Sequence, residues 1–355
     1  MLTDPTLPIS AQELPPHLPP GASAQDVKQA MRAQPIWDYV SASPLNCLWD
    51  FQGASPLAIL KRTYASFLDD NLLSRAAELG FYFLFALFPT LVCASNILGI
   101  AARSASKIYI TLLSYLAYVI PSSAYDIVLQ TFNQTTTASS SGKLTFGLAA
   151  ALWSASVGFS AIQDTLNIVY KVKETRPYWK ARGSAMLVTL LLAVIVTLML
   201  AALFTGALFA RTVQHELFHR DLQLLAESGF RAASWVVAIG LLVLFFSVIY
   251  YFAPDVKNSR WHWLTPGAAL GIFGWIVASL GLRLYLHFFN SYSVTYGSLG
   301  AVIILLTWFY ISGLMLLLGA ELNSEIEAAA AERRLHDSGQ LPPAVTTDPD
   351  HPVGA

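Results

Sequence analysis

Charged residues are scarce in this chain, since aspartate, glutamate, lysine and arginine together make up only 12% of its 355 residues. A bilayer core is roughly 30 Å thick, and about 20 apolar residues in helical conformation are needed to cross it. Soluble domains distribute charge over all their helices. The sequence therefore predicts an all-α integral membrane protein with six transmembrane helices, at six uncharged stretches: 79–102, 144–162, 183–210, 232–254, 264–282 and 297–320.

Cysteine and net charge are also low. The chain has two cysteines, Cys47 and Cys93, which are too few for a disulfide framework. Its formal net charge of -1 excludes the generally basic surface of a protein that binds nucleic acid. No GxxxxGK[ST] phosphate-binding loop is present, so we do not expect ATP to drive the protein. We expect no cofactor.

The distribution of proline and aromatic residues divides the chain into four regions. Nine of the 18 prolines fall within residues 1–56, and the aromatic residues that follow favour helices on the membrane surface. We predict a disordered N-terminus, a cytoplasmic or interfacial segment with additional interfacial helices, a six-span domain, and a cytoplasmic tail with a disordered end. These regions are 1–25, 26–68, 69–324 and 325–355, respectively.

The positions of lysine and arginine predict the orientation. With the N-terminus in the cytoplasm, fourteen of these residues lie on inner segments and six on outer segments. An excess of positive charge marks the cytoplasmic side, so both termini are predicted there. The apolar run 108–121 is too short to span. We interpret it as an outer interfacial helix, with a re-entrant segment as the alternative.

A basic loop follows the second predicted span. We expect it to contact anionic lipid head groups, which attract basic residues on the cytoplasmic side. A loop in this position is basic without any nucleic acid to bind, so membrane lipids are the expected partners and nucleic acid is not. The candidate lipid-binding residues are Lys171, Lys173, Arg176, Lys180 and Arg182.

Polar side chains recur at helical spacing in the first, second and sixth predicted membrane helices. Because polar groups facing lipid are costly, these residues should face protein or water. We interpret them as a polar cavity open to the cytoplasm, and helix-to-helix hydrogen bonding remains the alternative. We also expect Glu321 to pair with a basic residue of another helix or loop. The cavity candidates are Arg75, Glu78, Tyr82, Ser156, Ser160, Gln163, Asp164, Asn167, Glu321 and Asn323.

An HExxH motif lies in the 211–231 segment, formed by His215, Glu216 and His219. On a helix, two histidines at this spacing can bind zinc while the glutamate activates water. Zinc sites of this kind need a third protein ligand, and none follows at a suitable spacing. We therefore predict no metal site here and interpret the motif as a solvated connector.

Several motifs resemble the YihY/BrkB family of bacterial inner-membrane proteins over roughly residues 60–330. They include the run from Ala76 to Phe83 with Phe88-Pro89, Trp153 to Ser156, Pro266 to Ala268, Tyr296 to Gly300, and Gly319 to Asn323. The resemblance implies about six spans and the inner membrane. It also implies a transporter-like or lipid-handling role. An older label of the family, ribonuclease BN, is disfavoured because no acidic cluster suits a two-metal nuclease.

These observations favour a transporter or lipid-handling protein that is not driven by ATP and is not an enzyme. The alternative is an envelope scaffold or maintenance protein without a transported substrate. A second alternative is a membrane metalloprotease at the HExxH motif. The sequence leaves the substrate, the coupling ion and the oligomeric state open.

Overall fold

A computed structural model describes residues 36–37, 39–40, 48–49, 55–88, 141–216, 220–256, 260–288 and 298–338. These residues form seven helices and no strand, which confirms the all-α prediction for this part of the chain. The helices are α1 (Pro56–Asp69), α2 (Leu72–Phe88), α3 (Ser141–Val169), α4 (Tyr178–Glu216), α5 (Arg220–Phe252), α6 (Pro266–Phe288) and α7 (Ser298–Asp337).

Four of these helices are long and apolar enough to cross a membrane. They coincide with the last four predicted spans, and the bent pair α1–α2 makes a fifth if the two helices are counted as one span. The first two predicted spans extend into residues whose side chains the structure does not describe, so six spans remain a prediction. The four segments are Tyr178–Leu203, Ser228–Phe252, Pro266–Phe288 and Leu299–Asp337.

Helices α1 and α2 meet at a sharp break. Pro56 occupies the first turn of α1, where its missing N–H is no loss. At the other end Asn71 has a φ of 53°, a left-handed conformation that asparagine tolerates, and the helix axis bends by 64°. On α1, Ile59 is buried against Ile326 and Ala330 of α7. The apolar residues on its other side are exposed: Leu57, Leu60, Tyr64 and Leu68.

Helices α6 and α7 pack with their backbones in close contact. A Cβ atom on Gly267 would lie 1.9 Å from the carbonyl oxygen of Gly319, and one on Gly271 would lie 3.0 Å from that of Met315. Glycine is needed at Gly267, because a side chain there would push the two helices apart, whereas the contact at Gly271 is tight but less severe. This close packing fixes which residues of α7 face the N-terminal end of α6.

Helix α7 continues well past the end of its predicted span. Residues Ile326 to Ala331 are all buried, although the tail was predicted to begin at residue 325. Ala328 and Ala331 pack with Trp37 and Val40. The predicted boundary after residue 324 thus falls inside one continuous, packed helix. Disorder is predicted for 1–25 and 336–355, but α7 includes 336 and 337. Residues 1–25, those beyond residue 338 and the apolar run 108–121 lie outside the described residues.

Candidate functional site: a buried polar cluster at one end of the bundle

Most buried charge of the described bundle lies at one end, here called the polar end. It is formed by the α1–α2 break, the α3–α4 loop, the residues leading into α6, and the second half of α7. Because these segments are far apart in sequence, only their packing brings the charged groups together. The charged residues are Arg62, Asp70, Lys171, Glu174, Arg176, Asp255, Glu321, Glu325 and Glu327.

Lys171 connects the end of α3 to the α1–α2 break. It has a φ of 52°, and the N–H of Val172 donates to the carbonyl of Asn167 at 2.9 Å, which is a Schellman helix end. Glycine is usual at this position, and another residue costs about 1 kcal/mol there. The Lys171 ammonium donates to Asp70 Oδ1, and both side chains are largely buried. Lys171 is therefore an internal residue and not a lipid contact as predicted.

A second ion pair connects α7 to α1. Arg62 Nε donates to Glu325 Oε2 at 3.0 Å, and Ser66 Oγ donates to Glu325 Oε1 at 2.7 Å. Arg62 also binds the more exposed Glu332 at 2.7 Å. The Glu325 side chain is 5% exposed, against 44% for Glu332. Glu325 is thus the buried half of this contact, and Glu332 is its exposed counterpart.

Glu321 lies one helical turn before Glu325 and is completely buried. Neither of its carboxylate oxygens has a hydrogen-bond partner among the described residues. The predicted pairing of Glu321 with a basic residue is therefore not found within the described part of the chain. The nearby cation Lys171 is bound to Asp70 instead, and the Arg62 guanidinium is bound to Glu325 and Glu332.

Asn323 binds the N-terminal end of α6 and also lines the small cavity described below. Its Oδ1 accepts from the N–H of Gly267 at 2.8 Å, and its Nδ2 donates to Thr265 Oγ1 at 2.9 Å. Thr265 Oγ1 also accepts from the N–H of Ala268 at 2.9 Å, so it is the N-cap of α6. Both orphan N–H groups at the start of α6 are satisfied in this way.

Asn167 is likewise engaged in the structure of the polar end. Its Nδ2 donates to Glu174 Oε2 at 2.9 Å, and its Oδ1 accepts from the N–H of Asp255 at 2.7 Å. Arg176 binds both oxygens of Glu174 at 2.7 Å and lies 3.5 Å from Asp255. The hydrogen bond from Arg176 lowers the pKa of Glu174, and the same bond raises the pKa of Arg176. These contacts tie the α3–α4 loop to the end of α5.

The serine stripe of α3 also makes internal contacts. Ser156 Oγ donates to the carbonyl of Trp153 at 2.7 Å, and Ser160 Oγ donates to that of Ser156 at 3.0 Å. The Arg182 guanidinium lies 4.4 Å from the centre of the Trp153 ring and donates to Ser160 at 3.2 Å. Arg182 is 9% exposed, so its predicted role in lipid binding is wrong. The amide of Gln163 lies 3.5 Å from Ser184 Oγ.

The remaining predicted residues lie at or near the surface of the described bundle. Arg75 and Glu78 are 3.9 Å apart within α2 and form a local contact between partly exposed side chains. Asp164 is exposed and Tyr82 is half-buried. Of the predicted lipid-binding cations, Lys173 and Lys180 are exposed, beside Tyr178 and Trp179, which are 65% and 78% exposed. Arg176 is bound internally, as described above.

A small cavity of about 40 Å³ lies inside the polar end. A water molecule needs about 10–15 Å³ of such volume, so this cavity has room for about three waters. It is far smaller than a pocket for a drug-sized ligand, which occupies roughly 300–1,000 Å³. Its polar lining includes Tyr170, Tyr250, Thr265, Asn323, Glu327, Arg260 and His262.

Sequence reasoning missed several residues of the polar end. The polar stripes predicted from the sequence do not include Asp70, which sits at a helix break, and the predicted tail contains Glu325 and Glu327. The i, i+4 spacing of Glu321 and Glu325 was the available signal that one helix face continues past the predicted span. Among the residues described, no cluster of three or more histidine, cysteine or acidic side chains could hold a metal. His219 lies outside that part, as do the side chains of His215 and Glu216.

The fold and the buried charges define an all-helical membrane protein with its ionisable groups gathered at one end of the bundle. The family model described as Virulence factor BrkB matches residues 63–341. The chain belongs to this family, which confirms the resemblance seen in the sequence.

Two groups of relatives are similar over most of the chain. The ribonuclease-like protein YfkH of Bacillus subtilis is 33% identical over 268 residues, which cover 76% of this chain and 94% of that protein. A UPF0761 membrane protein of Xanthomonas campestris is 29% identical over 286 residues, covering 78% of this chain and 62% of the relative. One of Xanthomonas oryzae is 29% identical over 271 residues, covering 74% and 59%. The chain thus spans about three fifths of the Xanthomonas relatives, and no solved structure matches it.

Proposed function

We propose that this chain is a membrane transporter of a small ion or solute, with cytoplasmic termini in the bacterial inner membrane. It works without ATP and performs no enzymatic step. The observation that carries the proposal is the buried cluster of Asp70, Lys171, Glu321 and Glu325 in a helix bundle. Ionisable groups are expensive inside a membrane protein and commonly mark ion or substrate pathways.

The size of the cavity favours a small substrate. A space of about 40 Å³ holds water or an ion, whereas a lipid would require the polar end to open much further. The polar end can serve as a gate because two ion pairs help to close it, Asp70 with Lys171 and Glu325 with Arg62. Breaking either pair would weaken the attachment of the α1–α2 break or of α1 to the rest of the bundle.

A non-transporting scaffold is the second candidate, and a specific observation favours it. Asn323, Asn167 and Arg182, which the sequence suggested for a cavity or for lipid, all make internal structural contacts. In a scaffold, the buried ion pairs would only hold the helices together. Anionic lipid remains a proposed partner for either function, now at the exposed residues Lys173 and Lys180.

Proteoliposomes of the full-length chain distinguish these functions. We suggest vesicles loaded with dyes that report H⁺, Na⁺, K⁺ or Cl⁻, with a fluorescent phosphatidylglycerol as the lipid probe. A transporter should give flux of at least one ion above that of protein-free vesicles. Glu325→Gln should change that flux, whereas Glu332→Gln, at the exposed partner of the same arginine, should leave it unaltered. Movement of the lipid alone would favour lipid handling, and no movement of any probe would favour the scaffold.

A further inference from the structure

Glu321 is the fully buried glutamate of the polar end, and no described residue forms a salt bridge or a hydrogen bond with it. It is 0% exposed, and both carboxylate oxygens are buried without a hydrogen bond in the described part of the chain. Leu317 and Ala320 on the same helix are also fully buried, so this part of α7 is shielded from water. An ionised carboxylate in such a place would lack both water and a partner, and buried acids in this situation bind a proton instead.

The charges around Glu321 do not offer it a cation. From the α1–α2 break, Asp69 and Asp70 face it, and from its own helix Glu325 does so. Lys171, at the end of α3, is the nearby cation, but its ammonium is bound to Asp70. The neighbouring Tyr170 is neutral. Glu321 is thus surrounded by more negative than positive charge, which disfavours the ionised form of its carboxyl group.

We infer that Glu321 is a proton-binding site: its carboxyl group is neutral while the polar end is packed as described, and this proton is the ion used in transport. The second half of this inference rests on the proposed function. On release, the O–H bond breaks, the electron pair stays on the carboxylate and the proton passes to water. The new charge would compete with Asp70 for Lys171 and loosen the link between α3 and the α1–α2 break.

A metal cation is a poorer ligand for this position than a proton. A cation would need several oxygen ligands at once, and the nearest acidic side chains are already bound to Lys171 and Arg62. Within the described ranges, no group of three acidic, histidine or cysteine side chains is arranged to hold a metal. A proton requires only one oxygen of Glu321.

Infrared spectroscopy of the full-length protein in lipid vesicles tests the proton directly. At neutral pH, the difference spectrum between wild type and Glu321→Gln should contain the C=O band of a protonated carboxyl group. The difference between wild type and Glu332→Gln should contain bands of an ionised carboxylate, because Glu332 is exposed and bound to Arg62. A carboxylate signal in the Glu321→Gln difference spectrum would overturn the inference, as would a band shifted by added Na⁺ at constant pH.

Thermal unfolding gives a second readout. A carboxyl group that holds a proton when folded and releases it when unfolded makes stability fall as the pH rises. The melting temperature of wild type should therefore decline more between neutral and alkaline pH than that of Glu321→Gln. Equal declines would contradict the inference. If Glu321→Gln does not accumulate in the membrane, the infrared spectrum of Glu327→Gln, which retains Glu321, can be recorded instead. That spectrum should contain a carboxylic acid band that disappears at alkaline pH. Absence of the band would refute the proton site at Glu321.

These measurements do not depend on transport. A protonated Glu321 in a protein that moves none of the probes would refute the proposed transporter but leave the proton site intact. Flux of an ion through a protein whose Glu321 is ionised would support the proposed transporter and refute the proton site.

Discussion

Replacing Gly267 by alanine tests whether the backbone contact between α6 and α7 holds the polar end together. An added Cβ would lie 1.9 Å from the carbonyl oxygen of Gly319 and 2.6 Å from the Asn323 side chain. Ordinary van der Waals contact begins near 3.4 Å, so the helices must separate by about 1.5 Å, the difference between the two distances. The obstacle at Gly319 is backbone, which cannot rotate away as a side chain can.

The expected loss of stability has two parts. Forcing one extra carbon into a packed contact costs about 1–3 kcal/mol. The separation also breaks the 2.8 Å hydrogen bond from Gly267 N–H to the buried Asn323, which leaves both groups unsatisfied at a further cost of about 1–3 kcal/mol. We therefore expect Gly267→Ala to destabilise the protein by about 4 kcal/mol in all.

A matched control lies in the same helix. Gly281 has no atom within 4 Å of a Cβ added there, so Gly281→Ala introduces the same methyl group without a clash. It should leave stability unchanged or raise it by about 1 kcal/mol, because alanine favours helix more than glycine does. The assay is thermal unfolding of the purified variants in one detergent, followed by tryptophan fluorescence. A Gly267→Ala protein that melts together with Gly281→Ala would refute the proposed contact.

Three further predictions concern the surface and the loop of the polar end. Replacing both Lys173 and Lys180 by glutamine should weaken binding to vesicles rich in anionic lipid by about 1 kcal/mol per residue, and an unchanged lipid preference would show that these cations do not contact head groups. The pKa of Glu174 lies below its ordinary value of 4.5, so the unfolded chain binds more protons. The contribution of Glu174 to stability is full above pH 4.5 and is lost as the pH falls through its lower pKa in the folded protein. In thermal unfolding, Glu174→Gln should therefore lose less stability at acidic pH than wild type, and an equal loss would contradict this. Finally, cysteines introduced in 122–143 should react with an impermeant reagent from outside, and those in 171–182 should not, because basic residues are concentrated on the predicted inner side. The reverse labelling would overturn the topology.

Some features of the fold could be predicted from local sequence because each depends on one segment. The last four spans follow from runs without charge, which must be helical in lipid whatever they contact. Gly267 and Gly271 form a GxxxG pair, a spacing typical of close helix contact, and the structure shows that the contacting helix is α7. The limits of α7 could not be predicted in this way, because polar residues after 320 normally mark the end of a span, while here they are covered by α1 and the segment around Trp37.

The sequence by itself indicated the class of protein, the helical architecture and the four helices long and apolar enough to cross a membrane, since about 20 residues without charge are typical of a transmembrane helix. Which polar side chains remain without partners was decided only by the tertiary structure. Asn323, Asn167 and Arg182 are equally polar in sequence, yet packing gives each of them a partner. Among the described residues, Glu321 has no partner because the cations Lys171 and Arg62 are bound by other carboxylates. Those carboxylates are Asp70, at the α1–α2 break, and Glu325, in the next turn of α7.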